Sequence, residues 1–110
     1  MTVAYVFATN LASYILNKMI IPQLEERRHG ANVAGMFFFV DNNFLLVKGN
    51  PIGERLVKQA QEYGIMLMGC DQCCYERNIA DRLFDGIPIG CFPDLYKGLS
   101  GVKIDQVITL

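Results

Sequence analysis

Three of the chain's four cysteines fall in the window Cys70-Asp71-Gln72-Cys73-Cys74. Before it runs the apolar stretch Ile65-Met66-Leu67-Met68-Gly69, which reads as a buried strand, and after it a helix begins. A thiol at such a junction meets free amide N–H groups and the positive end of a helix dipole, and both favour the nucleophilic thiolate. The expectation is a Cys70 pKa below the free value of roughly 8.5, with the Asp71 carboxylate pulling the other way. Cys70-x-x-Cys73 has the spacing of a dithiol redox pair. With Cys74 and Cys91 it is also half of a conceivable zinc site. Against zinc, Cys73 and Cys74 are adjacent and point different ways, and four-thiolate sites usually come as two separated pairs. No metal ligand and no cofactor are assigned.

Other chemistry is thin. The single histidine, His29, stands between Arg28 and Gly30 and reads as a solvated helix-end residue, so no Ser/His/Asp set forms. Gly49-Asn50-Pro51-Ile52-Gly53 lacks Gly-Lys-Ser/Thr and is a loop and cap, not a phosphate loop. The formal net charge is −1, and the densest basic spot is Arg27-Arg28-His29. Nucleic acid and anionic membranes are therefore discounted as partners. No apolar run approaches the roughly 18 residues needed to cross a bilayer, and no leader is visible. The expected location is the cytoplasm, where clustered cysteines point to redox, sulfur or metal chemistry more than to structural disulfides.

The elements that must position these thiols are legible as a β-α alternation. Residues 2–8 read as a first strand, and Thr9 or Asn10 as a helix cap. The helix that follows shows Leu11, Ile15, Met19 and Leu24, with a kink expected at Pro22 and a stop at Gly30. Residues 32–40 read as a second strand, broken by Asp41-Asn42-Asn43. Residues 44–47 are either an extra strand or an inserted turn. Asn50 and Pro51 open a helix carrying Ile52, Leu56, Val57, Ala60 and Tyr63 on one face. The cysteine helix is read as continuing far enough to point Ile79 and Leu83 inward. Residues 87–91 are a fourth strand, which Pro88 assigns to a sheet edge. Phe92-Pro93-Asp94 opens a last helix with Leu95, Tyr96 and Leu99, and residues 105–110 are the final strand.

This pattern predicts one α/β domain over residues 1–110: a three-layer α/β/α sandwich around a five-stranded, mainly parallel sheet of flavodoxin-like architecture. Ligands of such sheets bind beyond the carboxyl ends of the strands. Cys70, Cys91 and Asp41-Asn42-Asn43 should share that rim. Cys91 is either an ordinary buried thiol under Phe92 or a resolving thiol for sulfur held on Cys70. Hydrophobic residues make up 52% of the chain and charged residues 19%, which leaves apolar surface to spare. A homo-oligomer is expected, with residues 36–40 and 44–47 at or beside the interface.

The order of elements and the cysteine after the third strand resemble the DsrE family of small sulfur-relay proteins, over essentially the whole chain. More narrowly, the chain is similar to the SaoD subgroup in Gly35-Met36-Phe37-Phe38-Phe39, Lys48-Gly49-Asn50-Pro51-Ile52-Gly53-Glu54-Arg55-Leu56, Cys70-Asp71-Gln72-Cys73, Gly90-Cys91-Phe92-Pro93 and Asp105-Gln106-Val107-Ile108-Thr109-Leu110. The resemblance implies a doubly covered sheet, assembly as a trimer or hexamer, and a persulfide-bearing cysteine at Cys70. The chain departs from the sulfur-relay members by its extra cysteines at 73 and 74 and by Glu76, where a basic residue is common.

The function implied is a cytoplasmic sulfur carrier or sulfurtransferase-like protein. Cys70 would attack a sulfane sulfur, hold it as a persulfide and pass it to a partner thiol. Its partners would be sulfur donor and acceptor proteins. Cys73 could discharge the persulfide by forming a disulfide. Asp41, Asn42 and Asn43 would line the approach, and Asp71, Gln72, Cys74 and Cys91 would complete the pocket. The alternative is a non-catalytic binding or assembly module whose cysteines sense redox state or hold a metal.

Overall fold

The computed structural model describes residues 1–110. The apolar runs form five strands: β1 (Thr2–Phe7), β2 (Asn32–Phe38), β3 (Met66–Cys70), β4 (Ile89–Gly90) and β5 (Gln106–Thr109). All pair in parallel, in the order β4-β3-β2-β1-β5. The central three strands carry the longest apolar runs, as parallel strands buried on both faces require. Pro88, which has no N–H to donate, lies just before the short edge strand β4, and its carbonyl accepts the Gly69 N–H at 3.0 Å.

Alternation along the strands sorts the side chains into two unequal layers. Val3, Tyr5 and Phe7 of β1, Val33, Met36 and Phe38 of β2, and Leu67 of β3 belong to the main core, packed with the longer helices. Phe37, Met68 and Cys70 point to the opposite face and form a small cluster with Cys73. The sequence places residues 36–40 and 44–47 at or beside an oligomer interface. In the structure Met36, Phe37 and Phe38 are buried within the chain itself, and only Val40 and Phe44 of the two apolar runs are exposed.

The first helical stretch runs from α1 (Leu11–Ile15) through a π-helical segment (Leu16–Ile20) into α2 (Ile21–Glu25). Pro22 cannot donate to the Lys18 carbonyl. The wider π ladder immediately before it carries the helix on, so the interruption is a change of pitch. The inward face is Ala12, Leu16, Ile20, Ile21 and Leu24, while Leu11 and Met19 are exposed. Ile15 also packs against the core, so the helix carries two apolar rows at four-residue spacing and periodicity alone does not choose between them. His29 is not freely solvated: its ring bonds the Tyr5 hydroxyl at 2.9 Å and the Gln23 side-chain oxygen at 3.0 Å, and burial lowers its pKa.

α3 (Pro51–Tyr63) matches its sequence signals. The Asn50 side chain accepts the N–H groups of Ile52 and Gly53 at 3.0 and 3.1 Å. Gly64 closes the helix at φ 69°. Residues Val40–Leu46 form a 3₁₀ helix, not a strand, and Val47 makes a lone antiparallel bridge with Leu83. α4 (Asp71–Glu76) is a turn and a half, shorter than the sequence reading had it. It ends because Asn78 adopts φ 55°, a conformation asparagine tolerates. Ile79 and Leu83 are nevertheless buried, from the turns that follow. α5 (Phe92–Gly98) lies on the Cys70 side of the sheet, where Leu95 packs on the small cluster.

Candidate functional site

Cys70 is the last residue of β3, and Cys73 and Cys74 lie in the first turn and a half of α4. All three are buried free thiols. The Cys73 N–H donates to Cys70 Sγ at 3.4 Å, which puts the two thiols of the Cys-x-x-Cys pair on one turn. Cys73 Sγ in turn accepts the N–H of Val40 at 3.2 Å. Val40 reaches it from the end of β2 with φ 46°, in the left-handed region that β-branched residues avoid.

Asn43 fastens this arrangement. It is fully buried. Its Oδ1 accepts the Cys70 N–H at 3.0 Å and the Cys74 thiol at 3.4 Å, and its Nδ2 donates to the Val40 carbonyl at 2.9 Å. Gly69 makes room for it, since a Cβ there would stand 2.8 Å from Asn43 Oδ1. Asn42, also buried, donates to the Thr9 carbonyl at 3.1 Å. Neither asparagine lines an approach, as the sequence reading had supposed: both are consumed in holding the loop beneath the thiols. Asp41 is exposed and pairs with Arg77 Nε at 2.8 Å, and Arg77 Nη1 donates to the Cys73 carbonyl at 3.2 Å.

The electrostatics reverse one expectation. Burial pushes the Cys70 thiol above its ordinary value, up to about 11, with its contact to the Cys73 thiol adding to the effect. The Cys73 N–H lowers it, but by less than burial raises it. Cys70 is thus a neutral thiol at pH 7, not an activated one: the short helix contributes too little to outweigh lost solvation. Burial likewise pushes Cys74 up to about 11, although Arg77 draws it down. Asp71 and Gln72 stay outside the cluster. The Asp71 carboxylate accepts the Gln72 N–H at 2.7 Å, and the Gln72 amide donates to Glu76 at 3.3 Å.

Cys91 is exposed, so it is not the buried thiol under Phe92 that one sequence reading proposed. β3 and β4 pair with Cys70 opposite Gly90, which puts Cys91 one residue past the same rim. Its N–H donates to Asp94 Oδ2 at 2.9 Å. Next to the small cluster lies an apolar cleft of about 260 Å³, walled by Gly35, Phe37, Phe92, Leu95, Leu99 and Val107. No three His, Cys, Asp or Glu side chains converge as a metal-holding group.

Two participants escaped the sequence reading. Val40 gave no signal, because the donor is its backbone. Arg77 lies four residues after Cys73, and that spacing places both on one helix face, which was the available cue.

No family profile matches the chain, and no curated protein matches it by sequence. Solved structures do. The ychN protein from E. coli superposes with a TM-score of 0.70 at 20% identity, over 100% of both chains. BT1422 from Bacteroides thetaiotaomicron, a conserved protein of unknown function, gives 0.68 at 13% identity, over 99% of this chain and 94% of that one. MTH1491 from Methanobacterium thermoautotrophicum, also of unknown function, gives 0.63 at 8% identity, over 96% of each. The five-stranded parallel α/β fold is shared with these proteins. At these identities the shared fold fixes the architecture and leaves the chemistry to the site. No helix of the chain is long and apolar enough to cross a membrane.

Proposed function

We propose that this chain is a cytoplasmic sulfur carrier of the SaoD-like type, holding sulfane sulfur as a persulfide within the Cys70–Cys73 pair and passing it to a partner thiol. The observation that carries the reading is the placement of two free thiols on one turn at the carboxyl rim of the sheet, linked by the 3.4 Å contact from the Cys73 N–H to Cys70 Sγ. Loading exchanges one sulfur–sulfur bond for another. A site thiolate attacks the outer sulfur of a donor persulfide, and the donor leaves as a thiol. Unloading repeats the exchange on an acceptor protein's thiol. The buried, low-dielectric setting shields the persulfide from adventitious thiols. Donor and acceptor proteins are the partners, and a homo-oligomer, trimeric or hexameric, is the assembly in which Phe92, Tyr96 and Val107, all exposed, would be covered.

Intact mass after incubation with inorganic polysulfide tests the reading. The folded protein should gain about 32 Da, one sulfur, removable by reductant and lost when Cys70 and Cys73 are both serine. No gain in the wild-type protein would sink it. Stoichiometric bound zinc or copper in place of that gain would favour the redox-sensing or metal-holding module. A monomer by light scattering at micromolar concentration would count against the assembly.

A further inference from the structure

Two thiols share the site, and only one can attack first. We infer that Cys73 is the attacking sulfur, held for that role by the main-chain N–H of Val40, and that Cys70 is the resolving thiol. The inference rests on the proposed sulfur chemistry for its substrate, a donor persulfide.

The geometry distinguishes the two sulfurs. Cys73 Sγ receives an N–H from a separate segment at 3.2 Å, whereas Cys70 Sγ receives only the N–H of Cys73 at 3.4 Å. The Val40 donor exists at the expense of a left-handed β-branched residue, at φ 46°. Such a conformation persists only where the surroundings impose it. Here they do: Asn43 Nδ2 holds the Val40 carbonyl at 2.9 Å, and the Phe39 N–H is anchored on the Phe7 carbonyl at 2.8 Å. The strained peptide has one evident product, an N–H aimed at a sulfur.

Charge points the same way. Arg77 is tied to the Cys73 carbonyl at 3.2 Å. Its own pKa is raised, chiefly by its hydrogen bond to the Asp41 carboxylate. Among the influences on Cys70, no cation appears; Asp71 and the Cys73 thiol both oppose its ionisation. A neutral Cys70 thiol competes poorly for the donor's sulfur, and its proton is then available to the leaving sulfide.

The chemistry balances. The Cys73 thiolate attacks the outer sulfur of the donor persulfide. The new bond joins Cys73 Sγ to that sulfur, the donor's sulfur–sulfur bond breaks, and the donor leaves as a thiol with no net redox change. If no acceptor thiol takes the outer sulfur, Cys70 attacks Cys73 Sγ. The Cys70–Cys73 disulfide forms, the two thiol sulfurs are oxidised by two electrons, and the outer sulfur leaves as sulfide carrying the Cys70 proton. An external dithiol then restores the pair.

Peptide mapping after limiting iodoacetamide, over about pH 6 to 10, tests the order of attack in the wild-type protein. Cys73 should be labelled first, about tenfold faster than Cys70 near neutral pH, and Arg77→Gln should slow the Cys73 labelling. Faster labelling of Cys70 overturns the inference. After polysulfide, the folded Cys70→Ser protein should keep the added sulfur on Cys73, and Cys73→Ser should lose it. The reverse pattern overturns the inference and leaves the carrier reading standing. If no protein gains sulfur, the carrier reading fails, while the alkylation order still decides which thiol is the nucleophile.

Discussion

The side-chain oxygen of Asn43 lies 2.8 Å from where a Cβ on Gly69 would stand, so strand β3 can end in Cys70 only because the residue before it is glycine. The buried amide bonds the Cys70 N–H, the Cys74 thiol and the Val40 carbonyl from that position.

Gly69→Ala should therefore destabilise the protein by about 2–3 kcal/mol, by expelling the amide from its three partners. Asn43→Ala should cost a similar amount, leaving the buried Cys70 N–H unpaired. The two act on one interaction, so the double variant should lose much less than the sum. Urea midpoints of the four proteins check this, and full additivity would show that Gly69 and Asn43 do not depend on each other.

Alkaline stability follows from the raised thiols. Cys70 and Cys74 are both pushed above the ordinary thiol value, up to about 11, in the folded chain. Above pH 9 the unfolded chain loses these protons while the folded one keeps them. The stability they support is whole below pH 9 and declines as pH rises towards 11. Cys74→Ala should flatten that decline in Tm against pH; an unchanged slope would mean Cys74 is not a suppressed acid.

Val40→Gly should raise the folded stability by about 1 kcal/mol, since glycine adopts φ 46° without the clash that valine meets, and the exposed valine side chain contributes little burial. The N–H remains, so the Cys73 labelling rate should stay within about twofold of wild type. A loss of stability would show that Val40 is not strained.

The alternation of strands and helices, the edge position forced by Pro88, the α3 cap at Asn50 and the rim shared by Cys70 and Cys91 were all readable in advance, because each depends on local chemistry or strand order. The inward face of the first helix was not, since Leu11/Ile15/Met19 and Ala12/Leu16/Ile20 are both apolar rows and only the neighbouring sheet chooses between them. The thiol acidity of Cys70 was misjudged for a related reason. Helix polarity is local and legible, but burial under Phe37 and Met68 comes from tertiary packing and dominates. Asn42 and Asn43 read as a polar rim because nothing in a sequence marks an asparagine as buried. The Val40 donor was invisible because a main-chain group leaves no trace in residue identity.

Strand order has a kinetic consequence. β1 joins β2 across one helical crossover, but on its other edge it joins β5, and the Thr2 N–H bonds Asp105 Oδ2 over a sequence separation of 103 residues. Closing so long a loop carries an entropic penalty that the nearer pairings avoid. The sheet should therefore nucleate at β1, β2 and β3, carrying Cys70 into place early, and zip its β5 edge last. Refolding would then show the thiols protected from alkylation before the Val3–Gln106 and Val6–Thr109 pairings protect their amides from exchange.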